Sequence, residues 1–212
     1  MLDLKSKIAI FGCGGLSKEI YYCIKDIFIL NQVSFEGKIV FVDKEVKEGD
    51  YFLNCPIIKQ DDFEVKDYQV VLAIGNPNIR KQIVSSLSKN TFFPTIVHPT
   101  VQMNETATVG KGVLILQNAV ISCDVTIGDF TIVDRAVQVG HDCNISNFVH
   151  LSPASVLSGN INLHSCIEIG TNASLKQNIE IVQETTIGMG SVVVKSILEK
   201  GVYVGNPAQK IK

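Results

Sequence analysis

His141 and Asp142 are sequence neighbours of the two types that move a proton near neutral pH. An imidazole can take a proton from an amine or hydroxyl as that group attacks a carbonyl. A carboxylate beside it can hold the imidazolium or the incoming nucleophile. The plain alternative is a solvated His-Asp pair at a turn. His150 follows nine residues later. His98 and His164 have no acid next to them and are expected at the surface. The six cysteines (Cys13, Cys23, Cys55, Cys123, Cys143, Cys166) show no C-x-x-C or other ligand spacing, so neither a disulfide framework nor a metal site is expected.

A second group of candidates lies near the amino end. The apolar run 7–11 (KIAIF) leads straight into Gly12-Cys-Gly-Gly15. A backbone free of side chains can approach phosphate, and the N-terminus of a following helix favours an anion there. Asp43 closes a second apolar run, 38–42 (KIVFV), and Gly75-Asn76 closes a third, 69–74 (QVVLAI). Ser17 is placed to cap a helix that shows Ile20, Ile24, Ile27 and Phe28 on one face, and Asn76-Pro77 to begin another that reaches about Leu87. Strands alternating with helices imply a small parallel sheet of three strands with its ligand crevice at their carboxyl ends. The glycine turn lacks the third glycine of the dinucleotide fingerprint, and three strands are half of the sheet that holds a redox dinucleotide, so none is expected.

The element that must carry the histidines is written in a period of six. An aliphatic residue occupies every sixth position from Val97 to Val193 without an insertion, seventeen positions in register. Two residues before each stands a small or β-branched residue, Val113, Ala119, Cys143 and Ser155 among them. No α-helix keeps such a stripe on one face, and a flat strand would have to run straight for ninety residues. A coil of short parallel strands with a corner between each pair satisfies both columns. Three sides of six residues close a turn of eighteen. Gly110, Gly128, Gly140, Gly170 and Gly188 follow the aliphatic, where the chain is expected to turn at least cost without a Cβ, and Ser122, Ser146, Ser152 and Ser158 replace them elsewhere. None of the histidines falls on an inward column. His141 and His150 are half a turn apart, so they converge only if neighbouring rods pack side by side, which calls for an oligomer.

Charge and hydropathy narrow the setting. The 19 Lys+Arg against 21 Asp+Glu give a net charge of −2, which argues against a nucleic-acid partner. No apolar window is long enough to span a membrane and no signal-peptide pattern opens the chain, so a cytoplasmic location is expected. Two domains are expected, residues 1–94 with a Rossmann-like α/β fold and residues 95–212 forming the coil and a tail.

The stretch Val139-Gly-His-Asp-Cys-Asn-Ile-Ser-Asn-Phe-Val-His-Leu-Ser-Pro153 resembles the signature of the sialic acid O-acetyltransferase-like group of left-handed β-helix, hexapeptide-repeat acyltransferases. Residues 12–19, 73–80 and the terminal Gly205-Asn-Pro-Ala208 match the same group, which includes acetyltransferases of nucleotide-linked 4-amino sugars. The resemblance implies a left-handed coil and a homotrimer that binds acetyl-CoA between subunits, with no metal. It implies His141 as general base with Asp142 beside it, and His150 near the acetyl carbonyl. Gly170, Thr171, Gly188 and Met189 would lie along the pantetheine arm. Gly14, Gly15 and Leu16 would hold the nucleotide phosphates, and Asp43, Lys44, Gly75 and Asn76 would complete the nucleotide pocket. The implied reaction is N-acetylation of a UDP-linked 4-amino sugar for surface glycan assembly, the alternative being O-acetylation of a sialic acid hydroxyl. Leu16 stands where some relatives place a histidine, and Lys44 where a second acid can occur.

Overall fold

The computed structural model describes residues 2–46 and 49–212. The amino-terminal unit runs β1 (Lys7–Phe11), α1 (Gly15–Leu30), β2 (Ile39–Asp43), β3 (Tyr51–Phe52), β4 (Cys55–Lys59), β5 (Tyr68–Leu72) and α2 (Pro77–Ser86). The sheet order is β3-β4-β2-β1-β5, parallel except for β3. Three strands were expected and five are present. The additional β3–β4 hairpin turns through Leu53 and Asn54, both at positive φ, the conformation that suits a two-residue hairpin loop. β3 is two residues long and β4 mixes half-buried with exposed positions, so neither carries the continuous buried run that marks β1, β2 and β5.

Helix α1 begins three residues earlier than the sequence suggests, at Gly15 rather than Lys18. Gly12, at φ +103°, reverses the chain directly after β1, and Gly14 becomes the N-cap with no side-chain cap. A Cβ at Gly12 would lie 2.9 Å from Ile74 Cδ1 and 3.1 Å from the Ala73 carbonyl, so this turn requires glycine. Ser17, the expected cap, is instead buried inside the first turn with its hydroxyl unpartnered. Helix α2 matches expectation: Asn76 Oδ1 accepts from the N–H groups of Asn78 (3.0 Å) and Ile79 (3.1 Å), with Pro77 at the first position.

From Ile96 onward the chain is a left-handed parallel β-helix. Each two-residue strand pairs with the strand eighteen residues on, as Val120 with Gln138 and Ile132 with His150. Face 1 holds the strands beginning at Ile96, Leu114, Ile132, His150, Glu168, Thr186 and Val202. Face 2 holds those beginning at Gln102, Val120, Gln138, Val156, Ser174 and Val192, and face 3 those at Thr108, Thr126, Asn144, Asn162 and Glu180. Both inward columns are buried as the period of six requires, except at the open first turn, where Met103 is exposed. Burying each large aliphatic contributes on the order of 1.5–3 kcal/mol.

The corner glycines serve a different purpose from the one expected. Every sixth residue from Asn118 to Glu184 has φ between +56° and +62°, and Gly112 and Gly190 extend that series. The left-handed turn therefore falls two positions after the glycine column, often on Asn or Asp, the residues that best tolerate it. Gly128, Gly140 and Gly170 are needed because a Cβ there would lie 2.5–2.7 Å from atoms of the next turn.

Face 1 is roofed by the amino-terminal unit. Ile96, Leu114, Leu116 and Ile132 share one core with Ile8, Ile10, Ile20, Ile24 and Phe28. On the other side of the sheet Phe130 packs edge-on to Phe93 and stacks on Phe148. Both units are thereby joined, and the segment after β5 reaches the coil directly, the Gly75 carbonyl accepting from His150 at 3.0 Å.

Candidate active site

The corner between faces 2 and 3 carries His141. Asp142, at φ 58°, occupies the left-handed turn position, and its Oδ2 lies 2.6 Å from His141 Nδ1. A carboxylate only accepts, so Nδ1 carries the hydrogen and the neutral ring presents its lone pair at Nε2. The histidine side chain is 62% exposed. Its ring rests over Gly159, one turn on, where a Cβ would stand 2.5 Å from both Cε1 and Nε2. The same corner continues through Gln177 to Lys195, and Lys176 precedes Gln177. A groove of about 420 Å³ there is lined by Lys176, Gln177, Asn178 and Lys195.

His150 belongs to face 1 and is only 8% exposed, because the amino-terminal unit covers it. Its Nδ1 lies 3.0 Å from the Gly75 carbonyl, so this ring too carries its hydrogen on Nδ1. Nε2 has no hydrogen-bond partner, and the nearest acid is Asp134 Oδ2 at 3.7 Å. Asp134, 4% exposed, engages Arg135 through its other oxygen, and Arg135 reaches across to Glu19 of α1 at 2.8 Å. Burial first, then Asp134, raises the Glu19 carboxyl above its ordinary value, with Arg135 opposing. Sequence reading missed Asp134, Arg135 and Glu19 as a group, since they come from separate elements. The available signal was Asp134, the one acid in a corner column held mostly by Gly and Ser.

Gly170, Thr171, Gly188 and Met189 follow Asp134 and Ser152 along the corner between faces 1 and 2. The N–H groups of Gly170 and Gly188 are spent on Ile187 and Tyr203 carbonyls. Those of Thr171 and Met189 have no backbone partner among the described residues. His141 and His150 thus sit on opposite edges of face 2 within one chain. His98, expected at the surface, is buried beneath α1, with Nε2 3.2 Å from Asp26 Oδ2 and Nδ1 2.9 Å from Thr100 Oγ1. It lies at the first corner of the coil, between faces 1 and 2, where α1 covers it. His164 is half-exposed and 2.5 Å from Glu180 Oε1.

In the amino-terminal unit a cleft of about 310 Å³ opens at the carboxyl ends of β1 and β2, lined by Gly12, Asp43, Lys44, Gln60, Ile74 and Ile79 among others. Asp43 Oδ1 accepts from the Lys44 N–H at 2.7 Å. A Cβ at Gly14 or Gly15 would meet nothing within 4 Å, so the uncapped start of α1 is open to a ligand. Leu16 is partly buried against the core behind it, and Asn76 Oδ1 is occupied by its capping bonds. Cys13 borders Asp43, and burial, aided by that carboxylate, pushes its thiol up to about 11. Burial pushes Cys23 up to about 12 and raises Cys143 as well, so none of these is a thiolate nucleophile near neutral pH. Among the described residues no cluster of three or more His, Cys, Asp or Glu could hold a metal ion, and no helix is long and apolar enough to cross a membrane.

Residues 7–87 match the PglD N-terminal domain. The chain is 30% identical over 225 residues to GDP-perosamine N-acetyltransferase of Escherichia coli O157:H7, covering 96% of this chain and 95% of that one. The acetyltransferase domain of PglB from Neisseria gonorrhoeae FA1090, solved in complex with acetyl coenzyme A, superposes with a TM-score of 0.87 at 29% identity, covering 97% and 99% of the two chains. A variant of perosamine N-acetyltransferase from Caulobacter crescentus, solved with CoA and GDP-perosamine, shares the fold at 22% identity, with a TM-score of 0.87 and 97% of each chain covered. Similarity that runs the full length of both units and of their relatives leaves one assignment: the chain belongs to the hexapeptide-repeat acyltransferases, among the acetyl-CoA-dependent sugar acetyltransferases built on a PglD-type amino-terminal domain.

Proposed function

We propose that the protein transfers the acetyl group of acetyl-CoA to the amino group of a nucleoside diphosphate-linked 4-amino sugar used in surface glycan assembly. The family resemblance implies uridine diphosphate, while the Escherichia coli relative is named for a GDP-linked sugar. The reading is carried by the His141–Asp142 pair, held at 2.6 Å with Nε2 free on an exposed edge. The sugar amine attacks the thioester carbonyl and gives up a proton to Nε2. The imidazolium, steadied by Asp142, then protonates the departing thiolate, so the C–N bond forms as the C–S bond breaks with no acyl-enzyme. Support for the acceptor comes from the cleft beside Asp43 and from the open α1 N-terminus, whose unpaired N–H groups suit phosphate.

The active protein is a homotrimer in this reading. Face 1 is covered and face 3 spends its outward side chains on ladders, Thr108 to Thr126 at 3.2 Å and Asn144 to Asn162 at 3.2 Å. Face 2 alternates Val120, Val156 and Val192 with polar residues and has no such ladder. Turning face 2 toward a three-fold axis brings the edge with His150, Thr171 and Met189 against the edge of the partner subunit that carries its His141. Acetyl-CoA then lies in that seam. Lys195, three strand spacings of about 4.8 Å beyond His141, and Lys176 meet its phosphates. The test is thiol release from acetyl-CoA against UDP-, GDP- and dTDP-linked 4-amino sugars and free sialic acids. Release with an amino sugar is expected, and release with sialic acids alone would overturn the reading.

A further inference from the structure

Arg80 is a buried cation used in an unusual way. It is 1% exposed, and its guanidinium donates to four backbone carbonyls: Ile74 and Gly75 from Nη1, each at 2.7 Å, Val149 from Nη2 at 3.0 Å, and Phe130 from Nε at 3.0 Å. Burial pushes its pKa down to about 10, against smaller opposing effects of Cys166 and Glu168, so it stays charged at neutral pH. Taking a charge out of water without a partnered carboxylate is costly, and apolar packing would join the two units at lower cost.

The four carbonyls are not a random set. Gly75 O is the atom that accepts from His150 Nδ1, and Val149 is the residue that precedes His150. Arg80 therefore holds both the acceptor of the imidazole and the backbone that delivers it. Position 75 itself allows the approach, since a Cβ there would stand 3.3 Å from His150 Cε1. On its other side the same segment lines the acceptor cleft through Ile74 and Ile79.

We propose that Arg80 is a positioning residue for His150: by clamping the Gly75 and Val149 carbonyls it fixes the ring with its hydrogen on Nδ1 and Nε2 on the Asp134 side, and links that orientation to the acceptor cleft. The consequence for chemistry is definite. In the neutral ring Nε2 accepts, and it can donate to the acetyl carbonyl only as imidazolium, with Asp134 Oδ2 3.7 Å away as counter-charge. The inference rests on the proposed part of His150 in acetyl transfer.

The test is a double-mutant cycle with Arg80→Lys and His150→Ala. A lysine keeps the charge, but its three N–H groups cannot span four carbonyls. Arg80→Lys is expected to lower kcat about tenfold or more, as a misplaced group does, with KM for acetyl-CoA little changed. In the His150→Ala background it should cause no further loss. An equal fold-loss in both backgrounds, or wild-type kcat in Arg80→Lys, would overturn the proposal. Full turnover by His150→Ala alone would instead defeat the reading of His150 beneath it. A measurement free of any folding defect uses the ¹⁵N-labelled wild-type protein at alkaline pH. The His150 ring should show a protonated Nδ1 and a bare Nε2, and the opposite tautomer would refute the clamp.

Discussion

Gly159→Ala isolates the placement of the His141 ring from the fold that carries it. The added Cβ would lie 2.5 Å from Cε1 and Nε2 and 3.0 Å from Cδ2, all atoms of one exposed side chain. Backbone is not among its nearest contacts, and Gly159 is not at positive φ, so the coil has no reason to strain. What must give is the imidazole, which swings toward solvent and surrenders the 2.6 Å bond to Asp142. A displacement of about 1 Å at a reacting group costs up to ~10²-fold in rate, within the ~10²–10⁴ that a general base contributes. Loss of backbone freedom in the unfolded chain should meanwhile add about 0.4–1 kcal/mol of stability. The expected result is a kcat about a hundredfold lower with a melting temperature unchanged or slightly raised, measured by thiol release and by thermal unfolding. Wild-type kcat would refute the placement of the base, and a large fall in melting temperature would refute the claim that only the ring is displaced.

Asp142→Asn keeps an oxygen acceptor and a residue tolerant of φ 58° but removes the charge that faces the imidazolium; replacing a charged hydrogen bond by a neutral one, worth about 1–1.5 kcal/mol less, should lower kcat roughly tenfold, with circular dichroism showing an intact coil. Replacing both Lys176 and Lys195 by Gln should raise KM for acetyl-CoA severalfold at constant kcat and weaken its dependence on salt; an unchanged KM would remove them from the phosphate site. His141→Ala and His150→Ala chains, each strongly impaired alone, unfolded together and reassembled in equal amounts, should regain about a quarter of wild-type activity, because each seam draws one histidine from each of two neighbours. No recovery would place both histidines in one subunit's site.

The coil was legible because its constraint is strictly periodic. One aliphatic column and one small column, both six residues apart, are enough to specify three faces. The left-handed corners were equally present in the sequence, as Asn118, Asp124, Asp142, Asn160, Asn172 and Asn178, but glycine drew attention to the neighbouring column. There the requirement is close approach between turns rather than backbone freedom. Ser17 was misread for a related reason. A serine before a helical pattern is a good cap, yet Gly12 at φ +103° lets the chain turn sooner and leaves the hydroxyl inside. His98 and His150 lay off both inward columns, and that periodicity says nothing of what roofs the outside of a face. Their burial comes from residues more than fifty positions away, Asp26 and Gly75, which no local pattern connects.

That roof also explains how the chemistry is divided. A coil with a fixed register of eighteen residues sets each corner position in a straight column, so groups half a turn apart keep their separation however the side chains rotate. His141 and His150 therefore cannot be brought together by loop motion inside one rod, and the seventeen uninterrupted hexads leave no room for a long loop that could fold over the edge. The amino-terminal unit adds a cleft and the carbonyl that orients His150 on the face 1 side; among the described residues the exposed His141 imidazole is hydrogen-bonded to its neighbour Asp142 alone. On the function proposed above, each edge is half-equipped: one with the proposed base and two lysines, the other with an oriented imidazole, N–H groups without backbone partners among the described residues, and the proposed acceptor cleft. Apposition of the two edges across face 2 is the arrangement by which the proposed trimer would make one complete site from them.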